Sequence, residues 1–86
     1  MMRSVARELF YTIADAACAQ ARTAVIERGL KEQVAFRNLF YEEVRRDFEA
    51  RRGRELPALW DGERLHQGLS AVLVALDSLH LEGGAP

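Results

Sequence analysis

The feature that most constrains this chain of 86 residues is the placement of glycine and proline. Gly29 and Gly53 each follow a long stretch that contains neither residue. Glycine and proline are the strongest breakers of regular structure, so stretches without them favour long helices. The pattern predicts three helices, over residues of about 4–28, 31–52 and 61–81.

Polar residues and glycine mark where these helices begin and end. Ser4 and Asp61 are suitable N-caps for the first and third helix. Arg28 and Gly29 form a typical helix end, since a cation in the last turn is followed by a residue that tolerates the left-handed conformation. The short connection at Gly29 predicts that the first two helices pack antiparallel as an αα-hairpin. The alternative is one long, bent helix.

No segment shows the period-two alternation of a half-buried strand, and the expected fold class is therefore all-α. We predict a single helical domain over residues 1–86, in which residues 82–86 form a flexible C-terminal tail. Half of the residues are apolar, with 49% in the hydrophobic class, so a substantial core is available.

Wide apolar arcs on all three predicted helices predict self-association. A surface helix needs only one apolar stripe, and these arcs exceed what one three-helix unit can cover. A helical-bundle homodimer would bury the excess in a self-complementary interface. The alternative is a monomer whose exposed patch binds a different protein. The candidate interface residues are Leu9, Ile13, Ala17, Ala21, Phe36, Phe40, Val44 and Trp60.

Charge and cysteine content narrow the class of protein. The net charge of −1 argues against a general polyanion binder. The single cysteine, Cys18, excludes a disulfide scaffold and a thiolate-rich zinc site, and it fits a reducing cytoplasm. We predict no signal peptide, no membrane span and a cytoplasmic location.

An arginine cluster near the end of the second predicted helix suggests nucleic-acid binding as an alternative function. Such a cluster could neutralise phosphates and make binding sensitive to salt. Acidic residues interleave with these arginines at helical spacing, which favours a self-paired surface, and we expect nucleic acid not to be a partner. The cluster comprises Arg45, Arg46, Arg51, Arg52 and Arg54.

A second alternative is a carboxylate–histidine metal site. Glu63 and His66 are three residues apart, as are Asp77 and His80, which places each pair on one side of a helix. The two pairs are too far apart along one helix to bind the same ion within a chain. The simpler interpretation is that Glu63 stabilises the helix N-terminus and that neither histidine is a ligand.

Little in the sequence supports catalysis. We find no glycine-rich phosphate loop, no nucleophile elbow and no nucleophile–base pair, and we expect no cofactor. Arg37 lies within an apolar arc, where a structural ion pair with Asp15, Asp77 or a partner's carboxylate is expected. The expected function is a non-catalytic helical oligomerisation or protein-interaction module, such as a small bacterial adaptor or regulator.

Overall fold

A computed structural model describes residues 7–84 of the chain, with side chains described as far as Leu81. The prediction of an all-α helical bundle is wrong, because a four-stranded mixed sheet lies among three helices in an α/β fold. In chain order the elements are β1 (Arg7–Tyr11), α1 (Ala16–Glu27), β2 (Val34–Asn38), α2 (Glu42–Ala50), β3 (Ala58–Trp60), β4 (Leu65–Gln67) and α3 (Leu69–Gly84).

The sheet has the strand order β2-β1-β3-β4. β1 and β2 are parallel, with Leu9 opposite Phe36, and α1 forms the crossover between them. β3 runs antiparallel to β1, with Leu9 opposite Leu59, and β4 is antiparallel to β3. The sheet is therefore built from a βαβ unit followed by a β-hairpin, with α2 linking the two parts and α3 following the hairpin.

The two faces of the sheet carry separate cores because side chains alternate along each strand. On one face, Leu9 of β1 and Leu59 of β3 pack with α1 and α3. On the other face, Phe10 and Ala58 pack with α2. The first core comprises Leu9, Ala21, Ala24, Val25, Leu30, Val34, Leu59, Val72, Leu76 and Leu79. The second core comprises Phe10, Val44, Phe48 and Ala58.

The first predicted helix was wrong over its first half. Residues 7–11 form β1, and α1 begins only at Ala16, with Asp15 as the N-cap in place of Ser4. Residues 4–6, including Ser4, lie outside the described residues. The β1 strand lies between β2 and β3 in the sheet and is covered on both faces. It therefore shows no alternation of polar and apolar residues.

The segments predicted as the second and third helices also contain strands. Residues 34–38 form β2 and residues 65–67 form β4, so no αα-hairpin and no single bent helix exists between residues 7 and 52. The predicted C-terminal tail, residues 82–86, overlaps α3, which extends to Gly84, and its last two residues lie outside the described part of the chain.

The predicted end of the first helix agrees with the fold. α1 is followed by its C-cap Arg28 and by Gly29, which has a φ of 68°. The prediction of Asp61 as a helix N-cap is wrong, because its carboxylate accepts from the N–H groups of Glu63 and Arg64 in the turn between β3 and β4. None of the helices in the described residues combines the length and the apolar character that a membrane crossing requires.

Candidate functional site

The candidate site is a cleft at the carboxyl ends of β1 and β2, where the β1–α1 and β2–α2 loops meet. In open α/β sheets, ligands bind in the crevice outside the carboxyl ends of parallel strands. The cleft has a volume of about 550 Å³, which lies within the range of small-molecule and peptide side-chain pockets. It is lined by Thr12, Ile13, Ala14, Asn38, Leu39, Phe40 and Tyr41.

Three large apolar side chains of this cleft are exposed to solvent. Ile13 is 71% exposed, Phe40 is 77% exposed and Tyr41 is 55% exposed. The rings of Phe40 and Tyr41 stack edge to face with their centroids 5.3 Å apart. Scattered single exposed hydrophobics are ordinary, but a group of them around one cleft is typical of a binding surface. We call Ile13, Phe40 and Tyr41 the edge patch.

Hydrogen bonds hold the β2–α2 loop in one conformation. The Asn38 Oδ1 atom accepts from the Phe40 backbone N–H at 2.9 Å. The Arg45 Nη1 atom donates to the carbonyl oxygens of Leu39 and Phe40, both at 2.8 Å. Phe40 is therefore exposed on a loop whose backbone is fixed, so little ordering of the loop backbone is needed on binding.

The β1–α1 loop on the other side of the cleft is anchored at both ends. The Tyr11 carbonyl oxygen accepts from the Leu39 N–H at 2.9 Å, which joins the two loops directly. The Asp15 Oδ1 atom accepts from the N–H groups of Ala17 and Cys18 at 2.7 and 3.2 Å, as an N-cap does. Ile13 lies between these two anchors.

A network of four charged side chains fixes α2, which carries Arg45, against the sheet. The carboxylate of Glu8, buried on β1, accepts a hydrogen bond from Arg37 on β2. The Arg51 Nη1 atom lies 3.0 Å from the same oxygen, as an ion pair outside hydrogen-bond geometry. Arg37 also donates to Asp47 Oδ2 at 2.7 Å, so β1, β2 and α2 are joined.

The pKa directions follow from these contacts. The Arg37 hydrogen bond holds the pKa of Asp47 below its usual value. Burial lowers the pKa of Arg37, but its contacts with Asp47 and Glu8 outweigh burial and raise that pKa overall. The predicted ion pair of Arg37 therefore exists, with Glu8 and Asp47 as its partners and not with Asp15 or Asp77.

The structure brings two of the eight predicted interface residues together in the edge patch. These two are Ile13 and Phe40, which face each other across the cleft loops. Trp60 lies in β3, half-buried under the Arg51 guanidinium at 4.4 Å. Of the other five, Leu9 and Ala21 are buried in the first core, Phe36 packs against that core, Val44 is buried in the second core, and Ala17 is half-buried on α1.

The predicted nucleic-acid residues do not form one free basic surface. Arg45 and Arg51 are engaged within the chain, and Arg46 pairs with Glu42 at 3.0 Å. Arg52 and Arg54 are exposed, and the Arg54 N–H donates to the Gln67 side chain at 2.7 Å. Only part of the cluster is therefore available to a polyanion.

The predicted metal residues lie in two separate places. Asp77 pairs with Arg28 Nε at 2.7 Å, and the His80 Nδ1 atom lies 3.0 Å from the Arg28 carbonyl oxygen. Glu63 and His66 lie beside the β3–β4 turn. Among the described side chains, which extend from residue 7 to residue 81, no three of histidine, cysteine, aspartate or glutamate are grouped so that they could hold a metal ion.

His66 instead forms a pair with Asp61. The His66 Nε2 atom lies 2.7 Å from Asp61 Oδ2, while Asp61 Oδ1 accepts from the N–H groups of Glu63 and Arg64. Burial raises the pKa of Asp61, but the hydrogen bonds from His66 and from the two backbone N–H groups lower it to about 2. The carboxylate stays ionised at neutral pH, which makes His66 Nε2 the donor.

Sequence reasoning did not single out Asn38 or Tyr41, and it considered Arg45 only as a nucleic-acid residue. The positions of Asn38 and Arg45 depend on the β2–α2 turn, which the helical prediction did not contain.

No known protein family matches the chain, and comparisons with curated proteins and with solved structures gave no match either. The site is therefore interpreted from its own geometry, charge and exposure. The cleft offers apolar contact area, the phenol hydroxyl of Tyr41 and amide groups, all of which can contact a bound molecule.

Proposed function

We propose that this chain is a non-catalytic protein-interaction domain that binds an apolar segment of a partner protein at the edge patch. The observation that carries the proposal is the exposure of Ile13, Phe40 and Tyr41 together on two hydrogen-bonded loops. An aromatic pair beside a cleft resembles the anchors that dominate binding energy at protein interfaces. The partner would insert one or two apolar side chains between the loops.

The chemistry of the cleft supports binding over catalysis. Its lining offers a threonine, an asparagine and a tyrosine as polar groups, and no carboxylate or histidine. General acid–base catalysis at neutral pH would need a carboxylate, a histidine or another group whose pKa is strongly shifted. The free and buried Cys18 fits a reducing compartment, so we propose a cytoplasmic adaptor or regulator.

The test uses peptides selected against the wild-type chain from a random library displayed on phage. We expect the selected peptides to be rich in aromatic and aliphatic residues. Phe40→Ser should weaken their binding at least tenfold, because loss of a central aromatic anchor costs about 2 kcal/mol. Isothermal titration calorimetry with synthetic peptides gives the dissociation constants.

The matched control is Ile26→Ser, which removes an exposed isoleucine, 56% exposed, from α1 outside the cleft. Ile13→Ser and Ile26→Ser make the same chemical change at similar exposure. Ile13→Ser should weaken binding severalfold, whereas Ile26→Ser should leave it unchanged. Equal affinity of all three variants and the wild type would refute the edge patch as the binding site.

Self-association is a second candidate, and a specific observation supports it. Val74 and Leu81 are exposed, and they are seven residues apart on one side of α3. A second copy covering this surface would form a homodimer through helices. Sedimentation equilibrium should then show a dimer that Val74→Asp converts to a monomer, and a wild-type monomer at high concentration would exclude it.

A further inference from the structure

β2 forms one edge of the sheet and differs from the strand at the other edge. Among the described residues β2 pairs only with β1, and β4 pairs only with β3. β4 has three residues, and such a short edge strand offers little to another chain. β2 has five residues, contains neither lysine nor proline, and pairs with β1 in an unbroken register. It therefore lacks the short length, the lysine, the proline or the bulge that protects many edge strands from pairing with another chain.

The ladder between β1 and β2 decides which backbone groups of β2 point outwards. Tyr11 lies opposite Asn38, and its carbonyl oxygen accepts from the Leu39 N–H at 2.9 Å. Because hydrogen-bonding groups alternate along a strand, the odd-numbered residues of this segment carry the bonds towards β1. The N–H and C=O groups of Val34, Phe36 and Asn38 therefore point away from β1.

Hydrogen bonds within the chain satisfy the outward groups at both ends of the strand. The Val34 N–H donates to the Leu30 carbonyl oxygen at 3.1 Å, and the Asn38 carbonyl oxygen accepts from the Tyr41 N–H at 3.2 Å. Within residues 7–84, no hydrogen-bond partner is present for the Val34 carbonyl, for both groups of Phe36 or for the Asn38 N–H. These two donors and two acceptors are arranged symmetrically about Phe36.

This set of donors and acceptors is complementary to itself. When a second β2 strand pairs antiparallel, with the Phe36 residues of the two copies opposite each other, those residues exchange two hydrogen bonds. The Asn38 N–H of each copy then donates to the Val34 carbonyl oxygen of the other copy, so every remaining outward group is used. A two-fold axis through the Phe36 pair relates the copies, as in most homodimers.

Charge and side-chain size on this edge suit the same register. Arg37 is the only charged residue of β2, and it lies opposite Ala35 of the other copy, so no like charges meet across the axis. Glu8 and Asp47 already neutralise Arg37 within its own chain. Ala35 is exposed and Phe36 is half-buried, so both retain surface that a second strand can contact.

We propose that two copies of this chain associate through antiparallel pairing of their β2 strands, which joins two four-stranded sheets into one continuous sheet. This association does not depend on peptide binding at the edge patch, and it uses a different surface from Val74 and Leu81 on α3. Strands of five residues bury a small area, so we expect a reversible dimer with a dissociation constant of about 10–100 μM.

Sedimentation equilibrium of charge variants tests the register. Ala35→Lys places like charges opposite Arg37 twice in the dimer and should raise the dissociation constant about fivefold or more. Ala35→Glu places opposite charges there and should lower the dissociation constant about twofold or more. Ala50→Lys makes the same change at an exposed alanine of α2 and should alter the dissociation constant less than about twofold, as should Val74→Asp on α3.

Residue-resolved hydrogen–deuterium exchange of the wild type tests the hydrogen bonds directly. The protein is measured at about one tenth of the dissociation constant and at about ten times that value. The Phe36 and Asn38 amides should exchange rapidly in the dilute monomer and severalfold more slowly in the concentrated dimer. The Arg37 amide donates towards β1 and should be protected equally in both samples.

Four results would overturn the proposal. They are a wild type that remains monomeric at about 1 mM, a dimer whose Phe36 and Asn38 amides exchange at the same rate as in the monomer, slow exchange of those amides already in the dilute monomer, and a dimer of Ala35→Lys at least as tight as that of Ala35→Glu. Slow exchange in the monomer would mean that the chain covers its own edge. The exchange measurement uses the wild type alone, so it decides the matter even where a variant does not fold.

Discussion

The two faces of the sheet pack against helices through different interactions. The face that packs against α1 and α3 has an apolar centre, where Leu9, Leu59 and Leu76 are fully buried. Its charged contacts are partly exposed, namely the Arg28–Asp77 pair and the His66–Asp61 pair. The face that packs against α2 buries the carboxylate of Glu8, only 7% exposed, against two guanidinium groups that also lie over the Phe10 ring. Among the described residues, a buried charge therefore belongs to the α2 face and not to the α1–α3 face.

The difference explains how α2 is positioned. Apolar packing is non-directional and tolerates small shifts of a helix. Ion pairs from β1 and β2 to α2 have defined geometry, so they fix the helix that carries Arg45 and hence the loop that exposes Phe40. We infer that the apolar face supplies most of the stability and that the charged face orients the edge patch.

The largest effect is expected from a truncation on the apolar face. Leu76→Ala removes a fully buried side chain of α3 that packs against the sheet. The lost transfer free energy and the resulting cavity should lower the free energy of unfolding by about 3 kcal/mol. Urea denaturation followed by circular dichroism measures it. A loss below 1 kcal/mol would show that this face is not the main source of stability.

A smaller loss is expected on the charged face. Glu8→Gln keeps the size of the side chain but leaves Arg37 with Asp47 alone and Arg51 without its carboxylate. Both arginines are partly exposed, so the cost should be about 2 kcal/mol, below that of a fully buried pair. Adding Arg37→Met should recover part of the loss, and strict additivity in this double-mutant cycle would contradict a coupled network.

The control on the same helix is the solvent-exposed pair of Glu42 and Arg46. The atoms Arg46 Nη2 and Glu42 Oε2 are 3.0 Å apart, with both side chains mostly in water. Arg46→Ala should therefore change the free energy of unfolding by about 0.3 kcal/mol. If Arg46→Ala lowered the free energy of unfolding as much as Glu8→Gln does, burial would not explain the difference between the Glu42–Arg46 pair and the ion pairs of Glu8.

The smallest of the three main effects is expected for Asp61, at the rim of the apolar face. Its pKa of about 2 in the folded chain lies below the ordinary 3.8, so its stabilisation is present above pH 3.8 and is lost as the pH falls towards 2. The side chain is 32% exposed, and solvent screening limits the contribution to about 1 kcal/mol. Asp61→Asn should be less stable than the wild type at pH 6.

A series of measurements at different pH values tests whether the ionised Asp61 carboxylate stabilises the fold. The difference in urea midpoint between Asp61→Asn and the wild type should shrink as the pH is lowered from 4 towards 2, where the wild-type carboxyl is protonated too. A difference that stays constant over this range would show that the ionised carboxylate is not what stabilises the hairpin.

Part of the fold could be predicted because its signals are local. The end of α1 at Gly29 depends on a single backbone conformation that glycine adopts readily. Asp61 was expected to accept from nearby backbone N–H groups, and it does so, but in a hairpin turn and not at a helix N-terminus. Gly68, with a φ of 91°, separates β4 from α3 and was a local signal that the third helical prediction ignored.

The strands could not be predicted in the same way. β3 and β4 have three residues each, too few to show any periodicity. β1 reads as Arg-Glu-Leu-Phe-Tyr, and the placement of Glu8 inside the molecule depends on Arg37 and Arg51, which come from distant parts of the chain. No local rule anticipates a buried carboxylate whose partners are 29 and 43 positions away.

The sequence by itself determined where the first helix ends and that apolar residues are numerous enough for a core, because a helix end depends on neighbouring residues and apolar content on composition alone. Only the tertiary structure decided that Leu9 and Phe10 face two different cores and that Ile13 and Phe40 meet at one cleft. Those relations arise from strand pairing, which joins segments that are remote along the chain and leaves no periodic mark within any one of them.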